Sequence, residues 1–246
     1  MTEEAVIVGL IGLAMFFILV YFIRSSSKPD EQLAITITEA QEQQETHRAP
    51  NKGIALSALL PENFVVLDLE TTGLNSAVHE IIEIGAIRVN LGSENHDTFS
   101  TLVKTDKRIP KKITGITGIT QEMIDAEGTE SREALAGFIQ FIGDLPLVTY
   151  NAEFDMAFLY SAARRHGFTI NNKYTCALKR ARRAWPGRKS YRLADIAKDG
   201  KLPDEDTHRA LGDCQRALIV FTAATSELGQ KVRWSKPAIE SGIGRM

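Results

Sequence analysis

Asp68 and Glu70 stand two positions apart at the end of an apolar run, residues 63–70. A short apolar run of this kind reads as a buried strand, and on a strand such positions share a face. Two carboxylates side by side at a buried strand end repel each other and lose hydration, which is expensive without a cation. Hard oxygen donors favour Mg²⁺ or Mn²⁺ over zinc. Taken alone, the pair also fits a solvated strand end. A third acid, Asp155, ends the segment Asn151-Ala152-Glu153-Phe154-Asp155, where a buried strand gives way to a helix. By itself it equally fits a favourable charge at a helix N-terminus. A fourth, Asp213, closes the segment His208-Arg209-Ala210-Leu211-Gly212-Asp213. His208 lies at a predicted helix start with Asp213 in the second turn. An imidazole titrating near neutrality is suited to take a proton from water, although a lone histidine there also fits a surface residue. His47, His79, His96 and His166 have no comparable company.

These residues need elements to bring them together. Residues 63–70, 80–90 and 98–104 read as three strands of an antiparallel meander. Residues 131–142 form an amphipathic helix with Ser131 as its N-cap. Residues 145–150 give another buried strand, and residues 154–165 a helix ended by Gly167. Helical stretches follow near 174–185, 191–198 and 209–225. Strands first, then strands alternating with helices, predict an α/β mixed sheet with helices packed on its faces.

The combination of motifs resembles a known family. Val65-Val66-Leu67-Asp68-Leu69-Glu70-Thr71-Thr72-Gly73-Leu74, then Tyr150-Asn151-Ala152-Glu153-Phe154-Asp155, then His208 through Asp213, resemble in order and spacing the three motifs of the DEDDh 3′→5′ exonucleases. Residues 109–123, with Ile109-Pro110-Lys111-Lys112-Ile113 and Gly118-Ile119-Thr120, are similar to a further segment in the proofreading exonuclease domains of bacterial replicative polymerases. The resemblance covers roughly residues 63–226 and implies a ribonuclease H-like fold. It implies that Asp68, Glu70, Asp155 and Asp213 hold two Mg²⁺ or Mn²⁺ ions and that His208 is the general base. It implies that Thr71, Thr72 and Leu74 hold the 3′-terminal nucleotide, and that Asn151 and Phe154 contact its neighbour. Tyr150 stands where the family often has histidine or glycine, and Tyr174 precedes Thr175 where an aspartate is usual; neither is a ligand position.

Around this core the chain carries other signals. Its formal charge is −2, so a nucleic-acid site must rest on local patches and bound cations, not on net charge. Residues 179–192 are basic, interleaved with Trp185 and Tyr191 and free of acids. They fit phosphate contact and base stacking, or equally a solvated helix end. Cys176 and Cys214 form no C-x-x-C pair and read as reduced thiols. Residues 5–23 are apolar and uncharged, about 28 Å long as a helix and so close to bilayer thickness. Acids precede this run, and bulky residues replace a cleavage site, which favours a retained transmembrane helix over a signal peptide. Arg24 and Lys28 follow it, placing the bulk of the chain on the cytoplasmic side of the inner membrane as a single-pass protein.

The predicted organisation is a transmembrane anchor (5–23), a flexible tether (24–60), an exonuclease domain (61–227) and a C-terminal tail (228–246). The expected activity is metal-dependent 3′→5′ exonuclease hydrolysis of single-stranded DNA or RNA 3′ ends to nucleoside 5′-monophosphates, DNA being favoured. A proofreading subunit or an RNA-trimming enzyme are the enzymatic alternatives. A catalytically silent nucleic-acid-binding module is the other class, disfavoured because all four acids and the histidine are present.

Overall fold

Strand β1 (Asn63–Thr71) lies inside the sheet with both faces covered, which is why its sequence is nearly continuous in apolar residues. It pairs antiparallel with β2 (Ile81–Asn90), which pairs antiparallel with β3 (Asp97–Leu102). On its other side β1 runs parallel to β4 (Leu147–Thr149), and β4 parallel to β5 (Tyr174–Cys176). The sheet order is β3-β2-β1-β4-β5. This is the predicted mixed sheet with flanking helices. The computed structural model describes residues 54–93, 95–202 and 208–237. The predicted transmembrane helix at 5–23, the tether up to residue 53 and the end of the tail lie outside the described residues. Among the described residues no helix is long and apolar enough to cross a membrane.

The two faces of β1 bury different halves of the core. Val65, Leu67 and Leu69 pack with Ile84 and Ala86 of β2 beneath helices α4 (Ser131–Ile142) and α5 (Ala152–His166). Phe64 and Val66 pack with Ile87 and Val89 beneath α6 (Ala177–Ala184) and α8 (Ala210–Leu228). The Phe64 and Phe221 rings meet edge to face at 6.0 Å, a favoured aromatic geometry. Strand alternation then puts Asp68 and Glu70 on the α8 face, continuing the row begun by Phe64 and Val66. A third cluster, Ile82, Leu102, Ile109, Ile119 and Ile124, fills the space under two short helices. These are α2 (Lys111–Thr117) and α3 (Gln121–Glu127), which fold from the segment similar to polymerase exonuclease domains.

Several elements differ from the sequence pattern. Tyr174, Thr175 and Cys176 form a strand, not the start of a helix. The outer edge of β4 has unpaired backbone groups that a further strand satisfies, and Tyr174 also pairs with Ser235. Ser131 is not an N-cap. Glu130 occupies that position without a side-chain cap bond, and the Ser131 hydroxyl lies 3.0 Å from His166 Nε2. Helix α5 begins at Ala152, ahead of the predicted residue 154, and ends as expected at Gly167 with φ 72°. The short helix α1 (Leu56–Leu59) and the segment near Val232 pack on the core, with the Val232 N–H donating to the Leu59 carbonyl at 3.2 Å. Packed residues thus lie on both sides of 61–227. Helix α7 (Leu193–Asp199) closes the face beside α8 through Ile196. Both cysteines are free.

Candidate active site

In the β1–β2 ladder Asp68 is opposite Gly85 and Glu70 is opposite Glu83. Helix α8 begins above this strand end, and Asp213 lies in its first turn, not the second as the sequence spacing suggested. One carboxylate oxygen from each of Asp68, Glu70 and Asp213 lies within 4.8 Å of the others. Burial, then the charges of Asp155, Asp213, Glu70 and Glu83, pushes the Asp68 carboxyl well above its usual range. Burial and the charges of Asp213, Glu83 and Asp155 push Glu70 up to about 8. Burial also raises Asp213, against the opposing influence of Arg216 and His208. The Arg216 guanidinium donates to Asp213 Oδ1 at 3.0 Å and is itself buried. So dense a group of acids is poised to take up a cation, whose charge would relieve the repulsion.

Asp155 stands behind this trio, in the first turn of α5, 3% exposed. Its Oδ2 accepts a hydrogen bond from the buried Thr149 hydroxyl at the end of β4. Burial raises its carboxyl to about 7, while the hydrogen bonds from Thr149 and from nearby backbone pull it down. Its charge is the second cause of the Asp68 shift, after burial, so the four acids form one electrostatic group even though Asp155 is not among the three whose oxygens converge.

His208 is exposed and adopts φ 62°, a left-handed conformation that a non-glycine residue takes at a cost. It immediately precedes Arg209, the N-cap residue of α8. The predicted nucleotide contacts surround the same strand end. Thr71 Oγ1 donates to the Gly73 carbonyl at 2.7 Å. Thr72 is buried, its hydroxyl accepting from the Glu80 N–H at 3.0 Å and lying 3.2 Å from His79 Nδ1. A Cβ at Gly73 would come within 2.5 Å of the His79 ring, so the ring in this position packs directly on the glycine. Leu74, next in the chain, is 85% exposed. Asn151 is exposed at the N-cap of α5, its carbonyl accepting from the Phe154 N–H at 2.9 Å, and the half-buried Phe154 ring lies 4.9 Å from Phe158.

The basic segment is less open than its sequence suggested. Arg180 is buried, with Nε donating to Thr225 Oγ1 at 2.7 Å and a second bond to the Gln230 carbonyl, and burial lowers its pKa to about 10. Lys179 pairs with Glu153 at 2.6 Å and Arg188 with Asp199 at 2.5 Å. Trp185 and Tyr191 pack partly into the core, and the Tyr191 hydroxyl donates to the Trp185 carbonyl at 2.5 Å. The sequence reading also passed over Glu83, Gly85, Arg209, Arg216 and Thr149. A usable signal existed for Glu83: it is an acid within the otherwise apolar stretch Ile81-Ile82-Glu83-Ile84-Gly85-Ala86-Ile87.

Residues 65–221 match the RNase T family, described as exonuclease. The chain is 36% identical over 171 residues to the DNA polymerase III subunit epsilon of Aquifex aeolicus, covering 69% of this chain and 84% of that one. It is 38% identical over 171 residues to the PolC-type DNA polymerase III of Clostridium perfringens, covering 70% of this chain and 12% of that one. In structure it is similar to E. coli Exonuclease I in complex with a dT13 oligonucleotide, with TM-score 0.61 and 20% identity over 68% of this chain and 42% of that one. It is also similar to Exonuclease X in complex with 5′ overhanging duplex DNA, with TM-score 0.53 and 26% identity over 68% of this chain and 94% of that one. At 20% identity, the likeness to Exonuclease I is a likeness of fold.

Proposed function

The chain belongs to the RNase T exonuclease family, and from that premise we propose that it is a membrane-tethered 3′→5′ exonuclease that releases nucleoside 5′-monophosphates from single-stranded DNA ends. The observation that carries this reading is the convergence of Asp68, Glu70 and Asp213 oxygens within 4.8 Å. An all-carboxylate donor set suits hard divalent ions, Mg²⁺ or Mn²⁺. The dense negative charge, with Asp155 behind it, fits a pair of them.

Asp68, Glu70, Asp155 and Asp213 are the residues that would hold the ions. Bound there, two divalent cations supply positive charge to the scissile phosphate and acidify a water. His208 takes the proton from the attacking water as general base. Its exposure lets the ring pass that proton on to solvent. Backbone groups of Thr71 and Thr72 seat the terminal nucleotide, and the exposed Leu74 side chain wedges it from its neighbour. Asn151 and Phe154, at the start of α5, meet the next nucleotide.

DNA is favoured over RNA because the relatives matched along most of the exonuclease domain are DNA polymerase III proteins. The tether reading rests on the uncharged run at residues 5–23 and on Arg24 and Lys28 after it. The test uses the full-length chain in detergent with 5′-labelled DNA and RNA strands of one sequence. A ladder of shortening products that requires Mg²⁺ and vanishes in EDTA is expected, faster on DNA. Immediate release of labelled mononucleotide would mean the opposite polarity, and faster RNA digestion would overturn the substrate preference. Retention in carbonate-washed membranes tests the anchor; release into the wash removes it.

A further inference from the structure

Glu83 is an acid in the middle of β2, 2% exposed, directly across from Glu70. A buried carboxylate beside a second acid requires strong compensation. Both its oxygens have it. Oε1 accepts from Arg209 Nη2 at 2.6 Å and from Nε at 3.1 Å. Oε2 accepts from the Ala210 N–H at 2.9 Å and from Arg209 Nε at 3.2 Å. The first partner, the Arg209 guanidinium, makes a forked, charge-assisted pair through Nη2 on Oε1 and Nε on Oε2, among the strongest and most directional hydrogen bonds. The second is an N–H at the first residue of α8, which the helix itself leaves without a partner. Two positions along the same face of β2, a Cβ on Gly85 would come 2.5 Å from the Ala210 carbonyl carbon and 2.6 Å from the Leu211 nitrogen. Backbone therefore rests on backbone where α8 begins.

Glu83 and Gly85 thus form a seat for the start of α8. The residues on either side of that seat are His208, just before Arg209, and Asp213, in the first turn. We propose that Glu83 is a positioning residue that, by gripping the Arg209 guanidinium and the Ala210 amide, holds His208 and Asp213 in working register with Asp68 and Glu70. The proposal rests on the exonuclease reading above. Glu83 differs in role from the four ligand acids because its oxygens are committed to Arg209 and Ala210. The left-handed turn at His208 makes the grip consequential, since His208 precedes α8 and its backbone hydrogen-bonds to the Asp213 carboxyl in the first turn of the helix that Glu83 seats. Displacing a reacting group by about 1 Å lowers rates by roughly 10²-fold.

The experiment compares the full-length wild type with Glu83→Gln, Glu83→Ala, Arg209→Ala and the double variant Glu83→Ala/Arg209→Ala. It measures kcat and KM on single-stranded DNA at saturating Mg²⁺, bound Mn²⁺ per chain by electron paramagnetic resonance, and melting temperature. Glu83→Ala is expected to lower kcat by on the order of 10²-fold with KM changed by no more than about twofold. Its Mn²⁺ stoichiometry should equal that of the wild type. Glu83→Gln keeps an acceptor for Ala210 and should retain about ten times the kcat of Glu83→Ala. The double variant should be no slower than Glu83→Ala, as expected of two residues acting as one unit. Wild-type kcat in both Glu83 variants, with only melting lowered, would reduce the seat to a structural role and overturn the proposal. Loss of one bound Mn²⁺ in Glu83→Ala that Arg209→Ala does not share would make Glu83 a ligand and overturn it equally. If Glu83→Ala does not fold, the isosteric Glu83→Gln decides through its kcat. An inactive wild type sinks the exonuclease reading itself; an active wild type with unaffected variants sinks only the role of Glu83.

Discussion

The Thr149 hydroxyl donates to Asp155 Oδ2, and both side chains are buried. The bond ties the end of β4 to the first turn of α5, so an acid expected to serve as a metal ligand is aimed by the strand that precedes it. It also opposes the effect of burial, which has raised the Asp155 carboxyl to about 7. Groups that hold a ligand in this way typically change metal affinity by about 10–100-fold when removed.

Thr149→Val keeps the shape and removes the donor. The charged form of Asp155 loses a favourable contact, so its pKa rises further and less of the carboxylate is available at neutral pH. The Mg²⁺ concentration for half-maximal activity should rise about tenfold at pH 7, and the deficit should shrink at pH 8.5. Activity titrations with Mg²⁺ at the two pH values check this. An equal deficit at both would mean that the bond does not act through ionisation.

The acids make a second prediction about the metal-free protein. Burial raises Glu70 from 4.5 to about 8 and Asp155 from 3.8 to about 7. The folded state therefore holds these protons more tightly than the unfolded chain. Their contribution to stability is full below the unfolded pKa values and is lost as pH rises through the folded ones. Melting in EDTA should fall between pH 5 and pH 8, by up to about 1.4 kcal/mol per pH unit for each such proton. Mg²⁺ should raise melting most at pH 8, where the empty acids repel most. Glu70→Gln should flatten the decline in EDTA; a steeper one would contradict the assignment.

How much of this could be read in the chain depends on where each residue's neighbours come from. β1 was legible as a short apolar run ending in acids and β2 by its alternation, and Asp68, Glu70, Asp155 and Asp213 were legible as a set through their resemblance to the exonuclease motifs. β5 was hidden because Tyr174, Thr175 and Cys176 lead without a turn into α6, and only the open edge of β4 makes them a strand. Arg180 looked like part of a solvated basic surface until Thr225 and Gln230, far along the chain, enclosed it. Glu83 sits on a strand face that is dry only because α8 covers it. Local pattern cannot report such coverage.

Removing ligands and removing the base should differ in degree. Asp68→Ala and Asp213→Ala should each abolish the product ladder; Asp68→Ala removes a charge that its neighbours repel and keeps the fold, whereas Asp213→Ala also takes a partner from the buried Arg216 and lowers melting. His208→Ala should slow digestion by roughly 10²–10⁴-fold without abolishing it. Single-turnover assays with melting curves separate the cases. Normal digestion by Asp213→Ala would remove it from the ligand set.

Gly85→Ala probes the contact between β2 and α8. The added methyl meets Ala210 and Leu211 backbone at 2.5 Å and 2.6 Å, where no side chain can rotate away. Overpacking of this type typically costs about 1–3 kcal/mol. Helix α8 carries Asp213, so activity should fall along with melting temperature. A variant with normal melting and full activity would show that the helix start shifts freely on the sheet.

Leu74 offers the opposite case, a residue whose effect should be on substrate alone. At 85% exposure it supports no core. The turn before it is already held by the Thr72 contacts with Glu80 and His79 and by the close approach of Gly73 to the His79 ring. Leu74→Ala should therefore leave stability within about 0.5 kcal/mol of wild type. An exposed leucine three residues past the end of β1 has apolar area to offer to an incoming base, and burying it contributes roughly 1.5–3 kcal/mol. KM on short DNA strands should rise about tenfold while kcat changes less, the pattern of lost binding rather than lost chemistry. A fall in melting temperature with KM unchanged would reassign Leu74 to the fold and remove it from the nucleotide site.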